Sequence, residues 1–199
     1  MSFESQSPDW ARRYAAGDTP WDKAVPAPPL MEGIARGLFS GRILVPGCGK
    51  GHDANALARI PGCSVVGLDI VPEAVEAARR AYVAPGVPLE FAVADFFNLP
   101  ADYAGAFDAV VEHTCFCAID PTMRAAYAAS AAGVLRRGGI FFGIFFINPD
   151  TEVGPPHAVS REEIFRLFES HFELVTEWAP ATAFPGREGR ERVCVLRRR

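Results

Sequence analysis

The sequence predicts a doubly wound α/β domain of the Rossmann-like type, a mostly parallel sheet covered by helices on both faces. Three observations carry that expectation. Short apolar segments rich in Val, Ile and Phe alternate with amphipathic ones along almost the whole chain. A glycine-rich loop, Val45-Pro46-Gly47-Cys48-Gly49-Lys50-Gly51, falls directly between the first apolar segment and the amphipathic segment after it. The last two apolar segments have no helix between them, so the last strand is expected to run antiparallel.

Taken in order, the chain opens on a helix signal, with Ser7 as N-cap, Pro8 at the first helical position and Gly17 as terminator. A proline-rich connector from Pro20 to Pro29 leads to a helix around 30–39. A strand over 42–45 and a helix over 53–59 flank the glycine loop. A strand over 64–68 precedes a helix over 72–82, whose apolar positions 74, 75, 78 and 82 share one face. Strands follow over 89–94 and 107–111. Asp120-Pro121 caps a long helix running to Arg137, which Gly138-Gly139 ends. The apolar run 140–147 is a buried strand. Ser160 and Glu163 form a capping box for a helix to Phe168, and strands over 173–178 and 192–197 close the chain.

Composition sets outer limits. With 49% hydrophobic and 22% charged residues, 199 residues suit one folded domain, 1–199, and disorder is excluded over most of the length. The longest apolar stretch, 138–147, is shorter than the about 20 residues a membrane span needs. The first residues lack the basic-then-apolar order of a secretory signal. The net charge of −4 argues against a general nucleic-acid binder. The expectation is a soluble, cytoplasmic monomer with neither nucleic-acid nor membrane partner. Residues 187–199 hold six Arg against two Glu, which reads either as a solvated strand end or as a contact for an anionic substrate. Five irregularly spaced cysteines fit a reducing compartment better than a disulfide framework. Cys115 and Cys117 would share one face of a strand, and no CxxC or His-rich partner accompanies them, so no metal is expected.

The glycine loop narrows the ligand. Gly47, Gly49 and Gly51 let the backbone turn and approach a bound group with no Cβ in the way. Their GxGxG spacing departs from the dinucleotide fingerprint, and Lys50 followed by Gly51 fails the phosphate-loop pattern. Asp69, at the end of the next strand, can accept both hydroxyls of a ribose. Asp95, after the third strand, can accept from an adenine amino group while Phe96 packs on the ring. In that order at successive strand ends, these residues fit an adenosyl cofactor without a pyrophosphate, of which S-adenosylmethionine is the natural candidate. An NAD-dependent oxidoreductase fits less well. Trp10 and Tyr14 share one helical face and Trp21 follows, either as rings that dock the helix on the core or as a cover for a sulfonium cation.

Four segments carry a wider resemblance: Trp10 to Asp22 (W-x3-Y-x2-G-x-T-P-W-D), VPGCGKGHD (45–53), VVGLDI (65–70) and FCAIDPTMR (116–124). With Gly154-Pro155-Pro156 and Pro185 to Gly189, the chain resembles the thiopurine methyltransferase superfamily over nearly its whole length, and within it the halide/thiol methyltransferase branch. The resemblance implies a class I methyltransferase fold, with residues 1–40 as a lid segment. It implies S-adenosylmethionine as cofactor, S-adenosylhomocysteine as product and a small acceptor: a thiol, sulfide or halide. By motif position, Trp10, Tyr14 and Trp21 match the aromatic cover. Gly47, Gly49, Gly51, Asp69, Ile70, Asp95 and Phe96 match the cofactor contacts. His113 stands where the branch usually has a Tyr beside the cofactor.

Methyl transfer is an in-line displacement in which a neutral thiol gains from losing its proton. His113 is the candidate base, or else a hydrogen-bonded wall residue; Glu112, its neighbour, would repel an anionic acceptor. Arg187, with Arg190 and Arg192, could orient an anionic substrate. A thiopurine, a selenium or tellurium species, or a non-catalytic cofactor-binding module are the alternative readings.

Overall fold

The computed structural model describes residues 9–148 and 154–199. Among them seven strands, β1 (Gly41–Pro46), β2 (Cys63–Asp69), β3 (Leu89–Val93), β4 (Phe107–His113), β5 (Leu135–Phe146), β6 (Phe172–Trp178) and β7 (Glu191–Arg198), form one sheet. The order across it is 3-2-1-4-5-7-6. The first five strands pair in parallel, whereas β7 lies antiparallel between β5 and β6. The expected antiparallel last strand is therefore present. Strand order reverses between β1 and β4, so their C-terminal ends splay into the crevice where such sheets bind ligands. The loops leaving these strands meet closely: a Cβ at Gly47 would stand 2.7 Å from Cys115 Sγ.

Period-two alternation splits the sheet's apolar residues between two cores. Ile43, Val65, Val111 and Phe142 face α2 (Pro28–Ala35), α3 (His52–Ala58) and α4 (Pro72–Tyr82). Leu44, Val66, Val110 and Phe141 face α5 (Arg124–Val134) and α6 (Arg161–Phe168). On the second side Phe116, Tyr127, Phe141, Phe145 and Phe168 are fully buried. At about 1.5–3 kcal/mol for each large apolar side chain, that cluster makes a rigid base. The N-terminal helix α1 (Trp10–Ala15) differs, for none of its residues is buried. It rests on α4 and is held by rings and ion pairs instead of core burial.

Several expected boundaries shift, each for a local reason. Ser7 and Pro8 lie outside the described residues, and the N-cap of α1 is Asp9, which accepts from the Arg12 N–H at 3.0 Å. Gly17 does terminate that helix, at φ 68°. Helix α2 starts earlier than expected because Pro28 and Pro29 supply its first turn, and it stops before Gly37. The helix expected to reach Arg137 is a 3-10 turn, Pro121–Met123, followed by α5, which ends at Val134. Arg136 and Arg137 already belong to β5, where Leu135 pairs with Phe107 and the Arg136 guanidinium holds Asp108 at 2.6 Å. Cys115 and Cys117 sit in the turn after β4, not on a strand. The chain end is also not frayed: Arg198 and Arg199 donate to the carbonyls of Ala132 and Phe172, each at 3.0 Å. No helix among the described residues is long and apolar enough to cross a membrane.

Candidate active site

The C-terminal edge of the sheet collects the predicted residues in strand order: Asp95 after β3, Asp69 at the end of β2 with Ile70 following it, the glycine loop after β1, and His113 at the end of β4. Three strand spacings separate the outer two, ~14 Å, enough for an elongated ligand. All three loop glycines are left-handed, with φ of 59°, 53° and 84° at Gly47, Gly49 and Gly51. The last caps α3, and a Cβ there would fall 2.5 Å from the Phe91 ring. Asp69 locks the loop: Gly49 N–H donates to its Oδ2 and Val71 N–H to its Oδ1, both at 2.9 Å. Burial pushes the Asp69 carboxyl up, against those backbone hydrogen bonds, which favour the ionised form. Beside it Ile70 is 56% exposed, a large apolar side chain left uncovered at the ligand edge.

Asp95 is exposed and spends one oxygen on the Phe97 N–H at 2.9 Å, leaving the other available. Phe96 departs from expectation. Its ring is buried in the second core, 4.9 Å from Tyr127 between centroids, so little of it is left to pack on a ligand.

The N-terminal aromatics lie over the loop. Trp10 and Tyr14 meet Trp21 edge-on at 5.3 and 5.8 Å, and the Trp21 indole N–H donates to the Tyr14 hydroxyl at 3.3 Å. A Cβ at Gly49 would stand 3.0 Å from that hydroxyl. Burial raises the Tyr14 pKa to about 12, so it stays a neutral phenol. Asp22 pins the segment from below: Lys50 reaches it at 2.7 Å and His52 Nε2 at 2.9 Å, while His52 Nδ1 meets the Tyr82 hydroxyl at 2.7 Å.

At the other end His113 enters a buried charge chain. Its side chain points to the α3 side, like Val111 two residues earlier. His113 Nδ1 lies 2.8 Å from Asp53 Oδ2, and Nε2 lies 3.3 Å from Arg187 Nη1. Arg187 Nη1 also donates to Glu191 Oε1 at 3.1 Å. Side-chain exposures are 13% for Asp53, 10% for His113, 12% for Arg187 and 1% for Glu191. The Phe184 ring stacks on the imidazole at 6.2 Å. An ionised carboxylate only accepts and a guanidinium only donates. Both contacts are satisfied together by the neutral imidazole with its proton on Nδ1 and a lone pair on Nε2. Burial pushes the Asp53 carboxyl up, but His113 and the Ala27 N–H, at 2.7 Å, outweigh it and bring it below the usual carboxylate value.

Glu112 belongs to a different site. It faces the second core, takes the Phe116 N–H at 2.8 Å and a short hydrogen bond from the Tyr127 hydroxyl, and burial raises its pKa to about 7. Burial likewise pushes the Cys48, Cys115 and Cys117 thiols up, which disfavours their thiolate forms. Among the described residues no three His, Cys, Asp or Glu side chains converge to hold a metal. Of the late arginines, Arg187 meets His113, whereas Arg192 pairs with Glu177 at 3.2 Å. Sequence reasoning missed Asp53, Asp22, Lys50, His52 and Glu191. Asp53 and Asp22 stand inside the two most distinctive segments, so a signal was there, but only the fold supplies their partners.

Comparison with known proteins finds relatives along nearly the whole chain. The family model "Thiopurine S-methyltransferase (TPMT)" matches residues 5–191. The Arabidopsis thaliana protein named "Probable thiol methyltransferase 2" is 34% identical over 97% of this chain and 86% of its own length. "Thiocyanate methyltransferase 1" of the same plant is 34% identical over 92% and 82%. Among solved structures, the 1,6-didemethyltoxoflavin-N1-methyltransferase of Burkholderia thailandensis with bound S-adenosylhomocysteine superposes with a TM-score of 0.74. It covers 96% of this chain and 85% of that one at 21% identity, a likeness of fold.

Proposed function

The chain belongs to the thiopurine S-methyltransferase family and is an S-adenosylmethionine-dependent methyltransferase, and from that we propose that it methylates a small thiol whose proton passes to His113. When bound, the cofactor supplies a methyl carbon activated by a sulfonium. The residues present fit it. Left-handed Gly47 and Gly49 bring bare backbone to the ligand edge. Asp69 retains unused lone pairs for ribose hydroxyls, Asp95 has a free oxygen for an amino group, and exposed Ile70 offers an apolar face to a base. Trp10, Tyr14 and Trp21 cover the loop with electron-rich rings, which attract a sulfonium by roughly 0.5–2 kcal/mol and keep water out.

The observation that carries the acceptor reading is the placement of His113 at the ligand edge, nine-tenths buried, with Nδ1 2.8 Å from the Asp53 carboxylate and Nε2 3.3 Å from the Arg187 guanidinium, partners that assign the proton to Nδ1. A thiol of pKa about 8.5 is a weak nucleophile until deprotonated. An imidazole within hydrogen-bond reach takes that proton as the sulfur attacks. The names of the two plant relatives, a thiol and a thiocyanate methyltransferase, support a small sulfur acceptor. Turnover of labelled S-adenosylmethionine on bisulfide, methanethiol, thiocyanate, iodide and a thiopurine tests the reading. Methanethiol, which arrives as a neutral thiol, is expected to react fastest, and His113→Phe is expected to slow thiols more than iodide. Binding of S-adenosylmethionine with no turnover on any acceptor would sink it. We further read the chain as a single-domain monomer of a reducing compartment such as the cytoplasm, which five free cysteines support. Sedimentation showing a stable dimer would overturn the monomer.

A further inference from the structure

We infer that Asp53, and Glu191 acting through Arg187, are positioning residues that tune this site to acceptors arriving with a proton and set it against acceptors that arrive as anions. The inference deepens the thiol reading above and rests on it. Two geometric facts carry it. Asp53 Oδ2 faces His113 Nδ1 at 2.8 Å while its Oδ1 takes the Ala27 N–H at 2.7 Å, so the carboxylate is fixed from both sides and dictates which imidazole nitrogen holds the proton. Glu191 is buried, gives Oε1 to Arg187, and leaves Oε2 without any hydrogen-bond partner.

Charge counting shows what this does. With His113 in the neutral form that its two partners select, one guanidinium against two carboxylates leaves the cluster one net negative charge in a place with little water. An iodide or thiocyanate brought there adds a second negative charge. A neutral thiol adds none, and its proton, once on His113 Nε2, brings the cluster to neutrality. The balance of the step is complete: the S–H bond breaks, its proton goes to Nε2, the thiol sulfur bonds to the methyl carbon, and the carbon–sulfonium bond leaves its electron pair on the departing thioether. The Arg187 guanidinium lies 3.3 Å from Nε2, so protonation of that nitrogen replaces their hydrogen bond by repulsion. The charged and titratable groups around His113 are Asp53 and His52 from α3, Arg187 and Glu191 from the C-terminal segment, Cys117 after β4, and Glu112 on the opposite face of β4.

Two measurements test the inference. The first is the ¹⁵N shift of the His113 ring nitrogens in histidine-labelled protein, assigned by loss of its signals in His113→Gln. Wild type is expected to show a protonated Nδ1 and a bare Nε2, and Asp53→Asn to weaken or reverse that preference, because the Asn amide can turn a donor toward Nδ1. A proton on Nε2 in the wild type overturns the inference whether or not any thiol is a substrate. The second is the ratio of kcat/KM for methanethiol to that for iodide. Asp53→Asn is expected to lower it about 30-fold or more, and Glu191→Gln, which removes one negative charge and keeps an acceptor for Arg187, at least about 10-fold. Equal losses on both acceptors would reduce these residues to structural supports and overturn the inference. Absence of thiol turnover in the wild type, with iodide turned over, would instead overturn the thiol reading, and the ring-nitrogen shifts would still decide the tautomer.

Discussion

Glu112 and His113 are neighbours on β4 that face opposite sides of the sheet. His113 meets Asp53 and Arg187 at the ligand edge, whereas Glu112 is sealed in an aromatic core against Tyr127 and Phe116. One peptide bond thus separates a side chain at the ligand edge from one sealed in the core.

That burial gives Glu112 a pH signature. Its pKa is raised to about 7, so the folded state prefers the protonated carboxyl. The stability this preference contributes is full below the unfolded value of about 4.3 and is lost as pH rises through about 7. Glu112→Gln removes the ionisation, and its stability is expected to fall less than wild type's between pH 5 and 8, by ~1–3 kcal/mol. Urea denaturation across that range measures it, and parallel pH profiles for the two proteins would refute it.

Gly49 and Gly51 are expected to fail differently when changed to Ala. At Gly51 a Cβ meets the Phe91 ring at 2.5 Å from a left-handed backbone, so the loss appears as stability, about 2–4 kcal/mol. At Gly49 the Cβ meets only the tip of Tyr14, so the aromatic cover is displaced. Stability should fall by about 1–2 kcal/mol and S-adenosylhomocysteine binding by several-fold more than that loss explains. Thermal melts paired with calorimetric titration distinguish the two, and a stability loss at Gly49 as large as at Gly51 would contradict the assignment.

Asp69→Ala removes the anchor for the Gly49 N–H and, in the proposed cofactor site, the acceptor for the ribose hydroxyls. Binding of S-adenosylhomocysteine should weaken by roughly 1.5–3 kcal/mol, about 10- to 150-fold. Unaltered affinity by calorimetry would remove Asp69 from the cofactor site.

Asp22→Ala releases Lys50 and His52 together. Burial pushes the Asp22 carboxyl up, but its hydrogen bonds from Lys50, the Ala24 N–H and His52 prevail and hold it below the usual value. The docking it provides is therefore present above about pH 3.9 and lost as pH falls through the lower folded value. At pH 7 the variant should raise KM for S-adenosylmethionine by about 5- to 30-fold, from roughly 1–2 kcal/mol of lost docking, with little change in thermal stability since α1 buries no residue. A large drop in Tm with unchanged KM would show that Asp22 serves the core instead.

Legibility from sequence varied with the range of the forces involved. Helix α4 was readable to the residue because Pro72 starts it and its apolar stripe is local. The end of α5 was not, because pairing of Leu135 with Phe107 and the hold of Arg136 on Asp108 draw those residues into a strand against their helical context. Phe96 looked available to a ligand because it follows Asp95, yet the hydrophobic core claims its ring.

The amino-acid sequence by itself determined the alternation of strands and helices, the glycine loop, the acidic residues at strand ends and the aromatic N-terminal segment, since each depends on spacing along the chain. Only the tertiary structure decided that Asp53, 60 residues from His113 in the chain, meets its Nδ1, that Arg187 meets the other ring nitrogen, and that Glu112 is sealed against Tyr127 on the opposite face. These are contacts between side chains on different elements. Hydrogen bonds act over about 3 Å, and no pattern of local spacing specifies which distant residues a sheet will bring within that reach.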